Sequence, residues 1–383
     1  MGKEKLAIAF SQNYDTDSAI KMISRNIKSS LGTQPISLAL LFFTPRYQPM
    51  FIKETLSITL KSENIFAIQS PLLIFQNKII KRGIVCCCLT KNNISVKSSF
   101  IKKTDVTDVE FLFKKNIISL KEKQRFLISS LGPQINVYNY LRGLSLAVGR
   151  NFNVFGAGFL KKYGIKNFLV VNNTIEEGLG SIILGGKFNI DNIKVGGFIP
   201  LGKKFTITKV ALEKNRIIEI DKKPAGLIYK KYLGDKFDLF KKTSMCSFYP
   251  IGIKNNGNYN LIHIIDILRD DSLFCIGNIK EKTEAHIMIA TQETLLKEVK
   301  NAVRYIKNDF DYDVAIIFNS LARRKILKNN ADKEIQNLKG ILGEKTKVIG
   351  LYCDYQIFPS DYIKEFTIGN YFLSMILLKY GDY

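Results

Sequence analysis

Ile36-Ser37-Leu38-Ala39-Leu40-Leu41-Phe42-Phe43 is an apolar run with a single polar member, too short to cross a bilayer and long enough to be a strand buried on both faces. Its surroundings decide what covers it. Upstream, Ala19, Ile20, Ile23, Ile27 and Leu31 recur at helical spacing between a cap at Asp15, Thr16 or Asp17 and a stop at Gly32. A short strand, Leu6 to Phe10, precedes that helix. Downstream, Phe51 to Leu60 reads as a second helix, followed by strands at Ile65 to Gln69 and Gly83 to Leu89. Alternation of this kind predicts strands covered by helices.

From Asn153 to Ile220 the pattern changes to short, glycine-punctuated strands, predicted to be mostly antiparallel, with Gly156-Ala157-Gly158 as a tight turn. Pro224 is placed as the first residue of a helix that Gly234 stops, and Asp235 to Ser247 as a loop. Further strands and helices follow, including strands at Val314 to Phe318, Lys347 to Tyr352 and Phe366 to Lys379. No short-period repeat is evident. With 383 residues, two domains are expected. The expected fold class is α/β with mixed, α+β sheets: two packed modules, residues 1–222 and 223–383, each a strand-rich sheet covered by helices around its own core.

Hydrophobic residues make up 46% and charged residues 24%, which excludes a largely disordered chain. No apolar run is long enough to span a membrane and no signal peptide is recognisable, so a cytoplasmic location is expected. The formal net charge of +23 raises the question of a polyanionic partner. Lysines are scattered through nearly every segment, though, and no named nucleic-acid motif appears, so a solvated basic surface is the expectation and a nucleic-acid partner is not. The six cysteines include the consecutive Cys86, Cys87 and Cys88 and no CxxC pair, which predicts small core residues, with no disulfide and no metal site. In a strand Cys87 would face away from its two neighbours.

The search for chemistry finds little. Phosphate-loop, dinucleotide-binding and nucleophile-elbow patterns are missing. Only two histidines exist, His263 and His286, both in apolar strand-like runs, so structural roles are expected for them. Tyr352, Asp354 and Gln356 alternate just beyond the strand starting at Lys347. In an extended chain they would aim three polar groups to one side of a strand end, where α/β ligand clefts form.

The order of segments resembles the FIST family, F-box and intracellular signal transduction. Gly196 to Gly202 resembles the family's glycine-proline-glycine strand. Lys223-Pro224-Ala225 through Tyr229 to Tyr232-Leu233-Gly234 resembles its junction, and Tyr249 to Ile253, Phe318 to Arg323 and Gly350 to Pro359 continue in step. Departures are Ser320 for a frequent Cys, Gln356 for a frequent Glu, Tyr355 and Phe358 for glycines, and Ala157 for a glycine. The resemblance implies paired FIST N and FIST C modules acting as a sensor that binds a small, amino-acid-like ligand. With no output domain apparent, the signal would leave through a separate signalling protein. Some relatives are thought to carry haem; here no cofactor is expected, His263 and His286 being the only imidazole candidates for an axial ligand.

The expected ligand site joins Ser320, Arg323, Tyr352, Asp354 and Gln356, with Arg323 as the carboxylate-pairing cation, the others as hydrogen-bonding groups and Tyr229 as an aromatic wall. No catalytic residue is assigned. The rival readings are a hydrolase with Ser320 or Cys353 as nucleophile, and a basic polyanion-binding protein.

Overall fold

The computed structural model describes residues 4–380 apart from 63, 92–93, 123, 150–151, 162–166, 212–214, 244, 256–257, 278, 307–310 and 360–365. The chain begins with β1 (Leu6–Ser11), α1 (Thr16–Leu31), β2 (Ile36–Phe43), α2 (Pro49–Thr59) and β3 (Asn64–Gln69). A hairpin of β4 (Leu73–Phe75) and β5 (Lys78–Ile80) follows, then β6 (Ile84–Thr90). Asp15 is the cap that starts α1, its carboxylate accepting the Ser18 N–H at 2.7 Å.

The same succession then recurs: β7 (Ile94–Ile101), α3 (Val106–Ile118), β8 (Arg125–Leu131), α4 (Val137–Val148), β9 (Asn153–Gly158), a hairpin of β10 (Leu169–Val171) and β11 (Thr174–Glu176), and β12 (Leu179–Gly186). It starts a third time with β13 (Phe188–Val195) and is interrupted by an insertion. The insertion comprises β14 (Ile199–Ala211), β15 (Arg216–Ile220), β16 (Lys223–Pro224), α5 (Leu227–Leu233), α6 (Phe237–Lys242), β17 (Ile251–Asn255), β18 (Asn258–Ile267), β19 (Leu273–Ile276) and β20 (Thr283–Ile289). The third succession resumes with α7 (Gln292–Asn301), β21 (Val314–Ser320), α8 (Leu321–Leu327), α9 (Ala331–Leu342), β22 (Lys347–Cys353), a hairpin of β23 (Tyr355–Pro359) and β24 (Phe366–Gly369), and β25 (Leu373–Tyr380).

Strand order makes the repetition plain. The first sheet runs β1-β6-β2-β3-β10-β11, the second β7-β12-β8-β9-β23-β24 and the third β13-β25-β21-β22-β4-β5. In each, the two central parallel strands are flanked by the repeat's own first and last strands on one side and a borrowed hairpin on the other. The hairpins circulate: the first repeat lends its own to the third, the second to the first, and the third to the second. A repeat of this length, broken by an insertion, escapes a search for short periods.

The three sheets turn one face inward to a common core. Leu38, Leu40 and Phe42 meet Phe126 and Ile128, and Val314, Ile316 and Phe318, in a cluster reaching from Leu6 to Leu378. Their outer faces carry helices: α1 covers Ala39, Leu41 and Phe43, α3 and α4 cover Leu127 and Leu131, and α7 and α9 cover Ala315 and Ile317. The run from Ile36 to Phe43 is therefore buried on both faces, as its composition requires. The insertion forms a fourth, antiparallel sheet with its own core around Tyr229, Phe240 and Ile264.

The protein is thus a mixed α/β fold of two packed modules, but the expectation that each centres its own core is corrected. Borrowed hairpins carry the central cluster across the division at 222/223. Local corrections have physical reasons as well. Gly156-Ala157-Gly158 belongs to strand β9, because a Cβ on Gly156 would fall 2.5 Å from Ser129 O and one on Gly158 would fall 1.9 Å from the Tyr355 ring. Pro224 ends a two-residue strand paired with Glu219, so the helix begins at Leu227. The expected loop after it contains α6, anchored by Phe237 and Phe240. Phe366 to Lys379 is two strands in different sheets.

All six cysteines are buried, with Cys87 in the central cluster and Cys86 and Cys88 in the outer one. Among the described residues no helix is long and apolar enough to cross a membrane.

Candidate functional site

Strand β21 ends at Ser320, which also caps α8, its hydroxyl accepting the Ala322 N–H at 3.2 Å. Side chains alternate along the strand, so Ser320 shares the inward face with Ile316 and Phe318. In the parallel register it pairs with Cys353, the last residue of β22, whose thiol donates to Asn319 O at 3.6 Å. The next sheet meets this edge. With the Gln356 amide oriented so that Nε2 donates to Gly369 O at 2.7 Å, its Oε1 accepts the Ser320 N–H at 3.2 Å. Ser320 and Gln356, both wholly buried, therefore bridge the third and second sheets where the central parallel strands of each sheet end.

Gln356 stands in a row that register alone creates across the second sheet: Gly180, Ser130, Ala157, Gln356 and Gly369 are successive partners. These positions alternate with outward-facing Leu127, Leu131 and Ile357, so the row faces the shared interior. Small or polar residues here replace the large apolar ones lower in the core. The Ser130 hydroxyl is buried with no hydrogen-bond partner among the described residues. Ser130, separated from Gln356 by Ala157 in the row, thus joins Ser320, Gln356 and Cys353 as a set of buried neutral polar groups on the inner faces of the second and third sheets.

The other expected site residues lie elsewhere. Arg323, one turn into α8, is wholly buried on the outer side of the third sheet. Its Nε and Nη2 donate to Glu334 Oε1 at 3.0 and 2.5 Å. Nη1 donates to the carbonyls of Val195 (3.4 Å), Tyr371 (3.3 Å) and Gly196. A guanidinium so engaged is a brace between elements, which corrects its expected role as a cation held ready for a carboxylate ligand. Tyr352 is in the same outer layer, packed with Ile335 and Leu338, and burial followed by the nearby Glu334 charge holds its phenol well above the usual range.

Asp354 sits where the chain crosses from the third sheet to the second. Its N–H donates to Gly158 O at 3.0 Å and its Oδ2 accepts the Leu160 N–H at 2.9 Å. That crossing breaks the alternation on which a common aim for Tyr352, Asp354 and Gln356 depended. Tyr229 is a core residue of the fourth sheet, its ring tilted against Phe240 at 5.3 Å between centroids and its hydroxyl donating to Tyr249 O at 2.7 Å. Burial raises its phenol well above the usual range. The histidines also belong to the fourth sheet: His263 is stacked on Tyr371 at 5.1 Å and His286 stands edge-on to Tyr259 at 5.8 Å.

Ser130 and Glu334 had no motif to announce them. The one available signal for Ser130 was the position of Ser129-Ser130 near the end of β8, matching Asn319-Ser320 at the end of β21.

Models of the FIST N domain and the FIST C domain match residues 37–223 and 225–359. The chain belongs to the FIST family. Ser130 comes from the FIST N module and Ser320, Cys353 and Gln356 from FIST C, so the polar patch lies at their junction. FIST modules mark a signal-transduction sensory protein. No curated protein matches the FIST chain. A solved structure described as cyanuic acid hydrolase from A. caulinodans is similar over 98% of this chain and 99% of that one, at 6% identity and a TM-score of 0.40.

Proposed function

We propose that this FIST protein senses a small polar ligand, amino-acid-like in size, through the patch of Ser130, Ser320 and Gln356, and signals through a separate partner protein. The observation that carries the reading is the Ser320–Gln356 bridge in the same inward-facing row as the Ser130 hydroxyl, which has no hydrogen-bond partner among the described residues, at a seam built by both modules. A few convergent polar groups in an apolar surround orient small ligands, and a buried hydroxyl without a partner gains most from one. Because these groups are neutral, and Arg323 is committed to Glu334, the contacts reach ligand hydroxyl, amide or amine groups rather than pairing with a carboxylate. Binding at the seam would change how the modules pack, which is a state that a partner could read.

The protein is proposed to work without haem, both imidazoles being packed against tyrosine rings of the fourth-sheet region. Ser320 as an N-cap and Cys353 as an inward-facing thiol give the hydrolase reading no further support.

A thermal-shift screen against free amino acids, small amides and small carboxylic acids tests the reading, since a ligand of the native state raises its melting temperature. The expected result is a shift by an amino acid or amide that Gln356→Leu removes. No shift across the set, or one that persists in Gln356→Leu, would overturn it.

A further inference from the structure

At the end of the molecule opposite Ser320 and Gln356, where β21 and β22 begin, a cleft of about 410 Å³ opens between β1 and the third sheet. Lys5, Lys345, Lys347 and Lys379 line it, against two carboxylates, Glu4 and Asp313. Both carboxylates are already engaged. Glu4 Oε2 accepts from Lys347 Nζ at 2.9 Å, and Asp313 Oδ2 accepts the Tyr380 N–H at 2.6 Å. Lys347 is also pinned to Leu6 O at 2.8 Å, which fixes one ammonium at the cleft wall. Lys345 reaches Asp311 at 2.8 Å on the exposed rim. Lys345 first, and Lys379 after it, hold the Asp311 carboxyl below the usual range, so Lys379 also faces that rim carboxylate; among the described residues lining the cleft there is no arginine. Leu6 and Tyr380 give the cleft its apolar surface.

We propose that this cleft binds a phosphorylated small molecule. Four ammonium groups around one concavity concentrate positive potential where low-dielectric walls focus it. Ammonium groups act as point charges with three donors each, which suits the tetrahedral oxygens of a phosphate, whereas planar carboxylates are best matched by the arginine fork that is missing here. The volume falls in the range of small-molecule sites, roughly 300–1,000 Å³. That leaves room beside the phosphate for an organic body on Leu6 and Tyr380. The site is independent of the ligand patch at the other end.

Calorimetric titration of the full chain with pyrophosphate, and with malonate at the same ionic strength, tests the proposal. Pyrophosphate should bind more tightly than malonate. Lys379→Gln should weaken pyrophosphate by about tenfold or more, the loss expected for one charge-assisted hydrogen bond. The double variant Lys230→Gln/Lys231→Gln, on exposed α5, should leave its affinity unchanged. Equal weakening by both variants would assign the binding to overall charge and overturn the proposal. Failure of pyrophosphate to bind, or malonate binding as tightly, would overturn it too.

Discussion

Arg323 Nε lies 3.0 Å from Glu334 Oε1, and both side chains are wholly buried. The second carboxylate oxygen of Glu334 accepts from Asn319 Nδ2 at 2.8 Å, so one acid ties together the end of β21, helix α8 and helix α9. Through its contacts with Val195 and Gly196, Arg323 also secures the entrance to the inserted fourth sheet, and through Tyr371 the turn that leads into β25. Removing one partner strands the other charge in the interior. Arg323→Ala should therefore lower unfolding stability by about 3–5 kcal/mol, read from urea denaturation. The double replacement Arg323→Met/Glu334→Leu should recover much of that loss, because an apolar pair of similar volume avoids burying any charge. An unchanged midpoint in Arg323→Ala would show that the pair does not brace the fold.

Gln356→Leu deletes both halves of the amide bridge: Gly369 O loses its side-chain donor, while the Ser320 N–H keeps Asn319 Oδ1 and Phe372 O as acceptors. A loss of about 1–3 kcal/mol is expected, measured by the same denaturation. Gln356→Glu should be worse at neutral pH than at pH 4, since an ionised carboxylate cannot donate to Gly369 O and would be buried without a cation.

Gly158→Ala should destabilise by roughly 1–3 kcal/mol, the usual cost of forcing extra volume into a packed site, because its Cβ would overlap the Tyr355 ring. Tyr355→Ala in the same chain should relieve the clash, so the two changes should be less than additive. Full additivity would mean that the ring is not what excludes the methyl group.

Burial pushes the thiols of Cys246 and Cys275 up to about 12. In the unfolded chain a cysteine releases its proton near 8.5. Between these values the unfolded state binds fewer protons than the native one, so these thiols make stability fall as pH rises across the window. Denaturation midpoints at pH 8 and pH 10.5 should show the drop, and Cys275→Ala should reduce its size. Below pH 8 the same protonated thiols should resist iodoacetamide until the protein unfolds.

How far the sequence was legible depends on how local each signal was. The run from Ile36 to Phe43, a cap among Asp15, Thr16 and Asp17, and strands starting at Val314 and Lys347 follow from local residue patterns, and all three appear, the cap being Asp15. The expected site divided because Arg323 and Tyr352 face outward at positions where only the packing of α9 determines what they meet. Asp354 sits at a change of sheet, which no alternation rule anticipates. Ser130 joined Gln356 through Ala157, by a register between strands about 200 residues apart, beyond the reach of any local pattern.

The circulating hairpins also set a timetable. Strands β4 and β5 leave the ribosome long before β22, the strand they must join. At about 5–20 residues per second that interval is roughly 13–55 s. Throughout it Leu73, Ile74 and Ile80, which end wholly or almost wholly buried, have no sheet to receive them. A nascent chain with an apolar edge waiting that long is a natural client for holding chaperones, and a ribosome stalled in the FIST C module would leave every one of the three sheets but the first short of a strand.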